Sequence, residues 1–376
     1  MNKIIVLGCG LVGRAIALDL SSDYDVTSCD YDESKLNEIK QYGINTIIAD
    51  LSDYKSIAEL TEPYDVVVGA VPGYMGYRVI EEVINGGKNV VDISFFPEDS
   101  LSLNSLAISK NVSAVVDCGV APGMSNILLG YHSSRIKVEN FICYVGGLPF
   151  IRKFPFQYKA PFSPIDVIEE YTRPARFIEN SVIKTEPALS DSEFINFDKI
   201  GTLEAFNTDG LRTMLKTMKV PNMKEKTLRY PGHIEYIKVL LEAGFFSNKE
   251  ILVGNNTIRP IEVTNKILFD EWKLDPDDEE FTVMKIIIEG EEDGENVRYT
   301  YNLFDKYDQT TKISSMARTT GYTASAVVHL MLQGKCRQIG IIPPEYIAAN
   351  DENMNYIIEY LAERNVIYHL TKEILR

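Results

Sequence analysis

A glycine-rich turn between a buried strand and a helix limits the fold of this chain more than any other feature. Gly8, Gly10 and Gly13 follow the apolar run of residues 4–7, and residues 14–20 continue with helical spacing. A strand that passes through such a turn into a helix is the first half of a βαβ unit, whose strands are parallel. The pattern predicts an α/β fold with a parallel, doubly wound sheet.

Further apolar runs alternate with helical segments through the first third of the chain. They are continuous in Val and Ile and do not alternate with polar residues, which is typical of strands covered on both faces. The predicted strands are residues 25–29, 46–49, 65–70, 89–93 and 113–117.

The pattern changes after about residue 120. Residues 282–289 and 297–303 alternate around an acidic turn, which predicts an antiparallel hairpin of an α+β domain. Residues 313–332 predict one long helix. We therefore predict a Rossmann domain built from residues 1–122 and 313–376, interrupted by an α+β domain at residues 123–312.

The charge of the chain excludes some classes of partner. The 376 residues contain 38 Lys and Arg against 54 Asp and Glu, a formal net charge of −16. Such a surface repels nucleic acid and anionic membrane, so neither is an expected partner, whereas a small amino acid is compatible with it. Part of the excess is expected to be solvated surface: Asp275, Asp277, Asp278, Glu279 and Glu280.

The cysteines indicate the compartment and argue against a metal. Five cysteines are scattered along the chain, and none has the spacing of a metal-ligand motif. No run approaches the ~18 apolar residues that a membrane span needs. We expect a reduced, cytoplasmic protein without a structural metal.

The glycine turn and the strand after it predict the cofactor. Gly8 permits the tight turn, Gly10 lets the backbone approach a pyrophosphate, and Gly13 lets helix and strand touch. Asp30 ends the second predicted strand, where a carboxylate accepts hydrogen bonds from ribose hydroxyls and repels a 2′-phosphate. No Arg or Lys follows Asp30 directly, so NAD is predicted over NADP.

Other cofactor positions follow from the sheet, because ligands of doubly wound sheets bind at the carboxyl ends of the strands. Each of these positions is also compatible with an ordinary strand-ending turn. The expected positions are Leu11, Val12, Asp50, Leu51, Ala70, Val71, Pro72, Ser94, Cys118 and Pro122.

Three residues are candidates for catalysis. Asp92 and Asp117 close neighbouring strands beside the expected nicotinamide, where a carboxylate can hold a cationic nitrogen; a strand-end Asp is as often a loop cap. His233 lies in the first turn of a predicted helix, whose dipole favours the neutral imidazole that a base requires. A structural role for His233 is the alternative.

Candidate anion sites lie in the second domain. The predicted helix that follows Asp209 offers free N–H groups together with Arg212, although a plain N-cap is an equal alternative. Arg229 is the stronger anion binder, and the loop that contains Tyr158 and Arg173 either lines a pocket or forms a dimer surface. The full set of expected substrate-binding residues is Tyr158, Arg173, Thr208, Asp209, Arg212 and Arg229.

Several motifs together resemble the saccharopine dehydrogenase family, over nearly the whole chain. Segment 166–174 looks more like the lysine 6-dehydrogenase branch than the saccharopine reductase branch. The motifs are the glycine turn at residues 8–13 and segments 117–126, 146–149, 204–212, 226–233 and 315–321.

The resemblance implies a function as well as a fold. It implies that the inserted domain carries substrate binding and the contacts of a homodimer or a dimer of dimers. It implies oxidation of an amino acid amine by NAD, with L-lysine giving allysine, NADH and ammonia. In that mechanism Asp92 or Asp117 holds the amine, His233 or a water moves a proton, and Thr208, Arg212 or Arg229 binds the carboxylate.

Two alternatives remain open. A saccharopine reductase needs an added cationic cluster for the glutamate arm of its substrate, and Arg173 and Arg176 are compatible with one. A regulatory protein that binds NAD without catalysis is the second alternative, because a fold does not determine a function.

Overall fold

A computed structural model describes residues 1–275, 278–336 and 338–376. Its strands lie within two large sheets and one small hairpin. In chain order they are β1 (Lys3–Leu7), β2 (Asp25–Asp30), β3 (Asn45–Ile48), β4 (Val66–Gly69), β5 (Asn89–Asp92), β6 (Ser113–Val115), β7 (Lys137–Pro149), β8 (Ala175–Glu179), β9 (Val182–Glu186), β10 (Glu193–Phe197), β11 (Gly201–Asn207), β12 (Asn222–Arg229), β13 (Ile251–Val253), β14 (Asn256–Ile258), β15 (Glu280–Glu292), β16 (Glu295–Lys306), β17 (Gly340–Ile342) and β18 (Tyr368–Ile374).

The helices alternate with the strands in the first third of the chain and are more scattered after it. They are α1 (Leu11–Leu20), α2 (Glu33–Lys40), α3 (Ile57–Thr61), α4 (Gly73–Asn85), α5 (Asn104–Ser109), α6 (Met124–Ser133), α7 (Pro164–Thr172), α8 (Met214–Thr217), α9 (His233–Glu242), α10 (Pro260–Trp272), α11 (Ser315–Leu332) and α12 (Asp351–Glu363).

The predicted α/β domain is confirmed. Seven parallel strands form its sheet in the order β17-β6-β5-β4-β1-β2-β3. Alternate residues of one strand enter different cores: Ile4 and Val6 pack in one cluster, while Ile5 and Leu7 pack in another. Both faces of the sheet are therefore covered, which is why its strands are apolar without alternation.

The second sheet is mixed and has nine strands, with the path β10-β11-β12-β7-β15-β16-β18 and with β8 and β9 attached to β12. Strands β7 and β12 run parallel, and the other pairs are antiparallel. The predicted hairpin is β15–β16 and the predicted long helix is α11, which packs against α1. Strand β18 lies in the second sheet, whereas the predicted division placed residues 313–376 with the first domain.

Two local predictions differ from the structure. The helix predicted to follow Asp209 begins only at Met214 and has four residues, so no helix N-terminus faces a ligand there. Glu280, expected on the surface, is 1% exposed; it begins β15 in the second sheet, and its Oε1 accepts a hydrogen bond from the Met316 N–H at the start of α11. The predicted surface position Asp277 lies outside the described residues.

None of the helices formed by the described residues is long and apolar enough to cross a membrane. All five cysteines are buried and unpaired. In the described part of the chain, no group of three or more His, Cys, Asp or Glu side chains is placed to hold a metal ion. The expected homodimer and cytoplasmic location stay predictions.

Candidate active site

A cavity of about 1130 Å³ lies between the two large sheets. One part is lined by residues at the carboxyl ends of the parallel strands, among them Gly8 after β1 and Asp30 of β2. The other part is lined by β12, by α7 and by the loop that precedes α8. A pocket at the strand ends of a doubly wound sheet is where such folds bind their ligands.

The glycine turn fits a dinucleotide. A Cβ on Gly8, which has a φ of +109°, would lie 2.4 Å from the carbonyl oxygen of Ala70, and a Cβ on Gly13 would lie 2.1 Å from that of Gly8. A Cβ on Gly10 would meet no atom within 4 Å. The turn is therefore tight where backbone meets backbone and open where a pyrophosphate would approach the start of α1.

Asp30 is fixed where the adenosine ribose is expected. Its carboxylate accepts hydrogen bonds from the Cys9 N–H at 2.7 Å and from the Asp32 N–H at 2.9 Å. A carboxylate has about four acceptor sites, so capacity remains for ribose hydroxyls. The cations that line this part of the cavity are Arg14 and Lys35.

Most of the expected cofactor and substrate residues line this one cavity. The cofactor positions that do so are Gly8, Gly10, Leu11, Val12, Gly13, Asp30, Asp50, Leu51, Ala70, Val71, Pro72, Ser94 and Pro122, and the substrate positions are Arg173, Thr208, Asp209 and Arg229. The expected residues outside its lining are Asp92, Asp117, Cys118, Tyr158, Arg212 and His233.

Neither Asp92 nor Asp117 lines the cavity, and their expected contact with the substrate amine stays a prediction. The Asp92 carboxylate accepts hydrogen bonds from the N–H and the hydroxyl of Ser94, at 2.8 and 3.0 Å. Burial raises its pKa well above the usual range. Asp117 forms a buried ion pair with Arg212 at 3.0 Å through Oδ1, while its Oδ2 is buried without a hydrogen-bond partner among the described residues; neither residue lines the cavity.

Tyr158 and Cys118 also have structural surroundings. The Tyr158 ring packs on the guanidinium of Arg229, 4.3 Å from its centroid, behind the cavity wall. Cys118 is fully buried, and burial raises the pKa of its thiol. A buried neutral thiol of this kind is a poor nucleophile.

His233 is not a free base. Its Nδ1–H donates to the Phe156 carbonyl at 2.8 Å, so Nε2 accepts the hydroxyl hydrogen of Tyr171 at 2.9 Å. Tyr171 accepts in turn from Nε of Arg229, at 2.9 Å. Burial lowers the pKa of His233 to about 3. The imidazole is neutral, as the sequence predicts. The lone pair on its Nε2 accepts from Tyr171, and Tyr171 in turn positions Arg229.

Strand β12 presents three consecutive same-face residues to the cavity. They are Glu225, Thr227 and Arg229, spaced by two as the strand repeat requires. Arg229 is 2% exposed and donates to Glu170 at 2.7 Å and to the Leu228 carbonyl at 3.0 Å, besides Tyr171. A guanidinium has five N–H groups, so two remain for a ligand.

Helix α7 and the residue after it line the cavity with a charged face. Asp166, Glu169, Glu170 and Arg173 follow the i, i+3, i+4, i+7 spacing of one helical face. The three acids were not predicted as site residues, although this periodicity could have identified them. Asp166 accepts from the N–H of Gly73 at 3.2 Å and so joins the two domains; burial raises its pKa to about 6.

Arg173 keeps donors free. It forms an ion pair with Glu169 at 3.1 Å and lies 4.8 Å from the centroid of the Phe95 ring. Its Nε and Nη1 are buried without a hydrogen-bond partner among the described residues. Buried donors of this kind are costly unless a ligand satisfies them, which makes Arg173 a candidate anion site.

The loop before α8 completes the wall. Asp209 is held by Arg176 through two hydrogen bonds of 2.7 Å, and the Thr208 hydroxyl lies 3.1 Å from that of Thr227. Arg176, considered above for a substrate carboxylate, is thus neutralised by Asp209.

Two buried carboxyl groups make stability depend on pH. Burial raises the pKa of both Glu225 and Glu280 to about 8, whereas both would be ionised well below pH 7 in the unfolded chain. We expect the unliganded protein to lose stability as pH rises from 6.5 to 8, by up to about 1.4 kcal/mol per pH unit for each group. The lowered pKa values of His132 and His233, about 4 and 3, have the opposite sign: they raise stability with pH until the imidazoles of the unfolded chain are neutral, and so offset part of the loss below about pH 7.5.

Denaturant unfolding at pH 6.5, 7.25 and 8 measures that loss. Glu225→Gln and Glu280→Gln should each make the loss between pH 7.25 and 8 smaller. Equal stability at all three values in the original chain would contradict the burial of ionisable carboxyls.

Comparison with known proteins agrees with this arrangement. The model described as saccharopine dehydrogenase NADP binding domain matches residues 4–115, and the saccharopine dehydrogenase C-terminal domain matches residues 119–367. A saccharopine dehydrogenase (NADP+, L-glutamate-forming) of Pyricularia oryzae is 25% identical over 285 residues, which cover 71% of this chain and 63% of that relative.

A second relative and one solved structure are also similar to this chain. The mitochondrial alpha-aminoadipic semialdehyde synthase of Mus musculus is 22% identical over 66% of this chain and 29% of its own length. The chain therefore spans less than two thirds of the length of the Pyricularia and the mouse relatives. The apo saccharopine dehydrogenase (L-Glu forming) structure of Saccharomyces cerevisiae shares the fold, with a TM-score of 0.78, 18% identity and complete coverage of both chains. Because the two domain models of the saccharopine dehydrogenase family together match nearly the whole chain, the protein belongs to that family.

Proposed function

We propose that this protein is an NAD-dependent dehydrogenase that oxidises the ε-amine of L-lysine. The reaction converts lysine, NAD+ and water into allysine, NADH, ammonium and a proton, and allysine then cyclises to piperideine-6-carboxylate. One observation carries the proposal: a single cavity joins the glycine turn to a compartment with anion-binding Arg173 and the unpaired acid Glu225.

The α-carboxylate of lysine has two candidate partners. Arg173 offers its unpartnered Nε and Nη1, and Arg229 offers the donors that its three protein contacts leave free. Charge-assisted hydrogen bonds from guanidinium groups are strong, and these groups are already ordered. The hydroxyl groups of Thr208 and Thr227 add neutral polar surface to the same cavity.

The charge balance of this compartment favours a substrate with a cationic tail. Six acids line it against Arg173, Arg229 and Lys273, and one of the six, Asp209, is paired with Arg176 behind the wall. The other five acids are Asp166, Glu169, Glu170, Glu225 and Asp270. L-Lysine carries two ammonium groups and one carboxylate, which complements this balance. Saccharopine carries three carboxylates and would need more cations; it stays the alternative substrate because the Pyricularia relative is named for it.

When bound, the nicotinamide accepts the hydride that leaves the substrate carbon. The turn at Gly8, Gly10 and Gly13 would hold its pyrophosphate, and Asp30 the adenosine ribose. The chain's own contribution is to fix the carboxylate at Arg173 and to hold the amine among the acids. Val145 and Met316 give the cavity an apolar wall.

Asp30 is expected to determine the preference for NAD. Asp30→Ser should lower the ratio of kcat/KM for NAD+ to that for NADP+ at least tenfold, because it removes both the ribose acceptor and the charge that repels a 2′-phosphate. Steady-state rates with both cofactors measure the ratio, and Glu33→Gln, an exposed acid of α2, is the control. A preference of the original chain for NADP+, as the name of the N-terminal model suggests, would contradict this assignment.

A substrate panel tests the function. Purified protein is mixed with NAD+ and one of L-lysine, saccharopine, L-glutamate or L-ornithine, and absorbance is followed at 340 nm. We expect turnover with L-lysine at least tenfold faster than with the others. Turnover with saccharopine alone would establish the alternative enzyme, and cofactor binding without turnover would establish a regulatory protein.

A further inference from the structure

Glu225 is a buried acid that the fold leaves unpaired. Only 5% of the residue is exposed, yet its Oε2 has no hydrogen-bond partner among the described residues. The side chain lines the cavity from the middle of β12, between β11 and β7. A carboxyl group buried without a partner costs stability, so its retention requires another explanation.

The fold makes room for this carboxyl. A Cβ on Gly210 would lie 1.5 Å from Oε1 of Glu225, so any other residue at position 210 would displace the acid from its place. Gly210 lines the same cavity in the loop before α8. The loop and the strand together hold the carboxyl at the cavity wall.

The charged groups around Glu225 are mostly acidic. Glu170 of α7, Asp209 of the loop before α8, and Asp117 after β6 all raise its pKa, in addition to burial, and Arg212 lowers it; the pKa is about 8. The thiol of Cys143 on β7 is the remaining titratable neighbour. Each of these three acids also has an arginine partner, so the complementarity to a cation comes from the unpaired carboxyl of Glu225 itself.

We propose that Glu225 is the counter-ion of the substrate ammonium and the group that accepts its proton before oxidation. This inference rests on the proposed function. When the ammonium enters, Glu225 releases its own proton to solvent, because the adjacent positive charge stabilises the carboxylate.

The proton transfer that follows is balanced. One N–H bond of the ammonium breaks and an O–H bond forms on Glu225, which leaves a lone pair on nitrogen. That lone pair becomes the second bond of the iminium as both electrons of the C–H bond depart with the hydride. The hydride acceptor is the oxidised nicotinamide of the proposed function.

Proton release on binding tests this role without catalysis. L-Lysine is titrated by calorimetry into the NADH complex, which cannot oxidise it, at pH 7 in two buffers with different ionisation enthalpies. We expect the original chain to release nearly one proton per lysine. Glu225→Gln keeps the shape of the side chain and should release almost none, while Glu291→Gln, an exposed acid of β15, should match the original chain.

The outcomes separate the two proposals. Lysine binding with equal proton release in the original chain and Glu225→Gln would overturn the role of Glu225 alone. Lysine binding by neither protein would overturn both this role and the proposed function. As a second readout, kcat/KM for lysine should lose its rise near pH 8 in Glu225→Gln; an unchanged profile would also overturn the role.

Discussion

Replacing Arg229 by methionine is expected to abolish lysine oxidation and to lower the free energy of unfolding by about 3–5 kcal/mol. The guanidinium is 2% exposed and holds Glu170 at 2.7 Å and the Tyr171 hydroxyl at 2.9 Å. Its loss would leave Glu170 buried without a counter-ion and would end the hydrogen-bond chain that continues to His233. Urea unfolding and NADH formation measure the two effects.

Two variants separate charge from geometry at this position. Arg229→Lys retains the charge, but its single nitrogen cannot occupy the places of the three guanidinium nitrogens that donate to Tyr171, Leu228 and Glu170. It should therefore recover part of the stability and little of the activity. Arg78→Met removes an exposed arginine of α4 and should change neither quantity. Full activity in Arg229→Met would show that this arginine does not bind the substrate carboxylate.

Gly13→Ala is expected to weaken NADH binding at least a hundredfold and to lower Tm by several degrees. Its Cβ would lie 2.1 Å from the carbonyl oxygen of Gly8 and 3.2 Å from the Cβ of Ala70. Neither neighbour can move without shifting β1 or the turn after β4, so α1 must leave its place. The start of α1, which faces the pyrophosphate, moves with it.

Gly10→Ala provides the matched comparison for that change. Its Cβ meets nothing within 4 Å of the protein, so Tm should stay within about 1 °C of the original. NADH binding should still fall at least tenfold, because the methyl group occupies the approach of the pyrophosphate. Fluorescence titration of NADH measures both affinities, and equal affinity in Gly10→Ala and the original chain would contradict the assigned cofactor position.

The fold of the first domain could be predicted because local pattern and tertiary burial agree there. The strands from Ile4 to Leu7 and from Val66 to Gly69 are apolar throughout, and each face of the sheet has its own core. The position of β18 could not be predicted, because Tyr368–Ile374 joins β16 across the chain through backbone hydrogen bonds. Backbone pairing of an exposed edge strand does not require a particular pattern of side chains, so the sequence does not reveal the partner.

Site residues could be predicted where a sequence motif fixes the backbone. They could not be predicted where their role depends on whether a buried side chain faces the cavity. Asp92 and Glu225 are both buried acids, but Asp92 uses its oxygens on Ser94 while Glu225 faces the cavity. Sequence places Asp92 correctly at the end of β5, yet not the direction of its side chain. Glu225 could have been identified from its spacing to Arg229 along one strand face.

His233 illustrates the same limit. Its place in the first turn of α9 and its neutral form follow from the sequence. Its contacts with Phe156 and Tyr171 arise from loops and helices far along the chain. Those contacts turn an expected base into a group that orders Arg229.

In the proposed function, one cavity brings the ε-carbon of lysine to the nicotinamide. L-Lysine with two deuterium atoms on the ε-carbon is incubated with the protein and NAD+, and the reduced cofactor is analysed by mass spectrometry. We expect one deuterium in each reduced cofactor and one retained on the aldehyde carbon of allysine. Reduced cofactor without deuterium, with oxidation at the α-carbon instead, would contradict it.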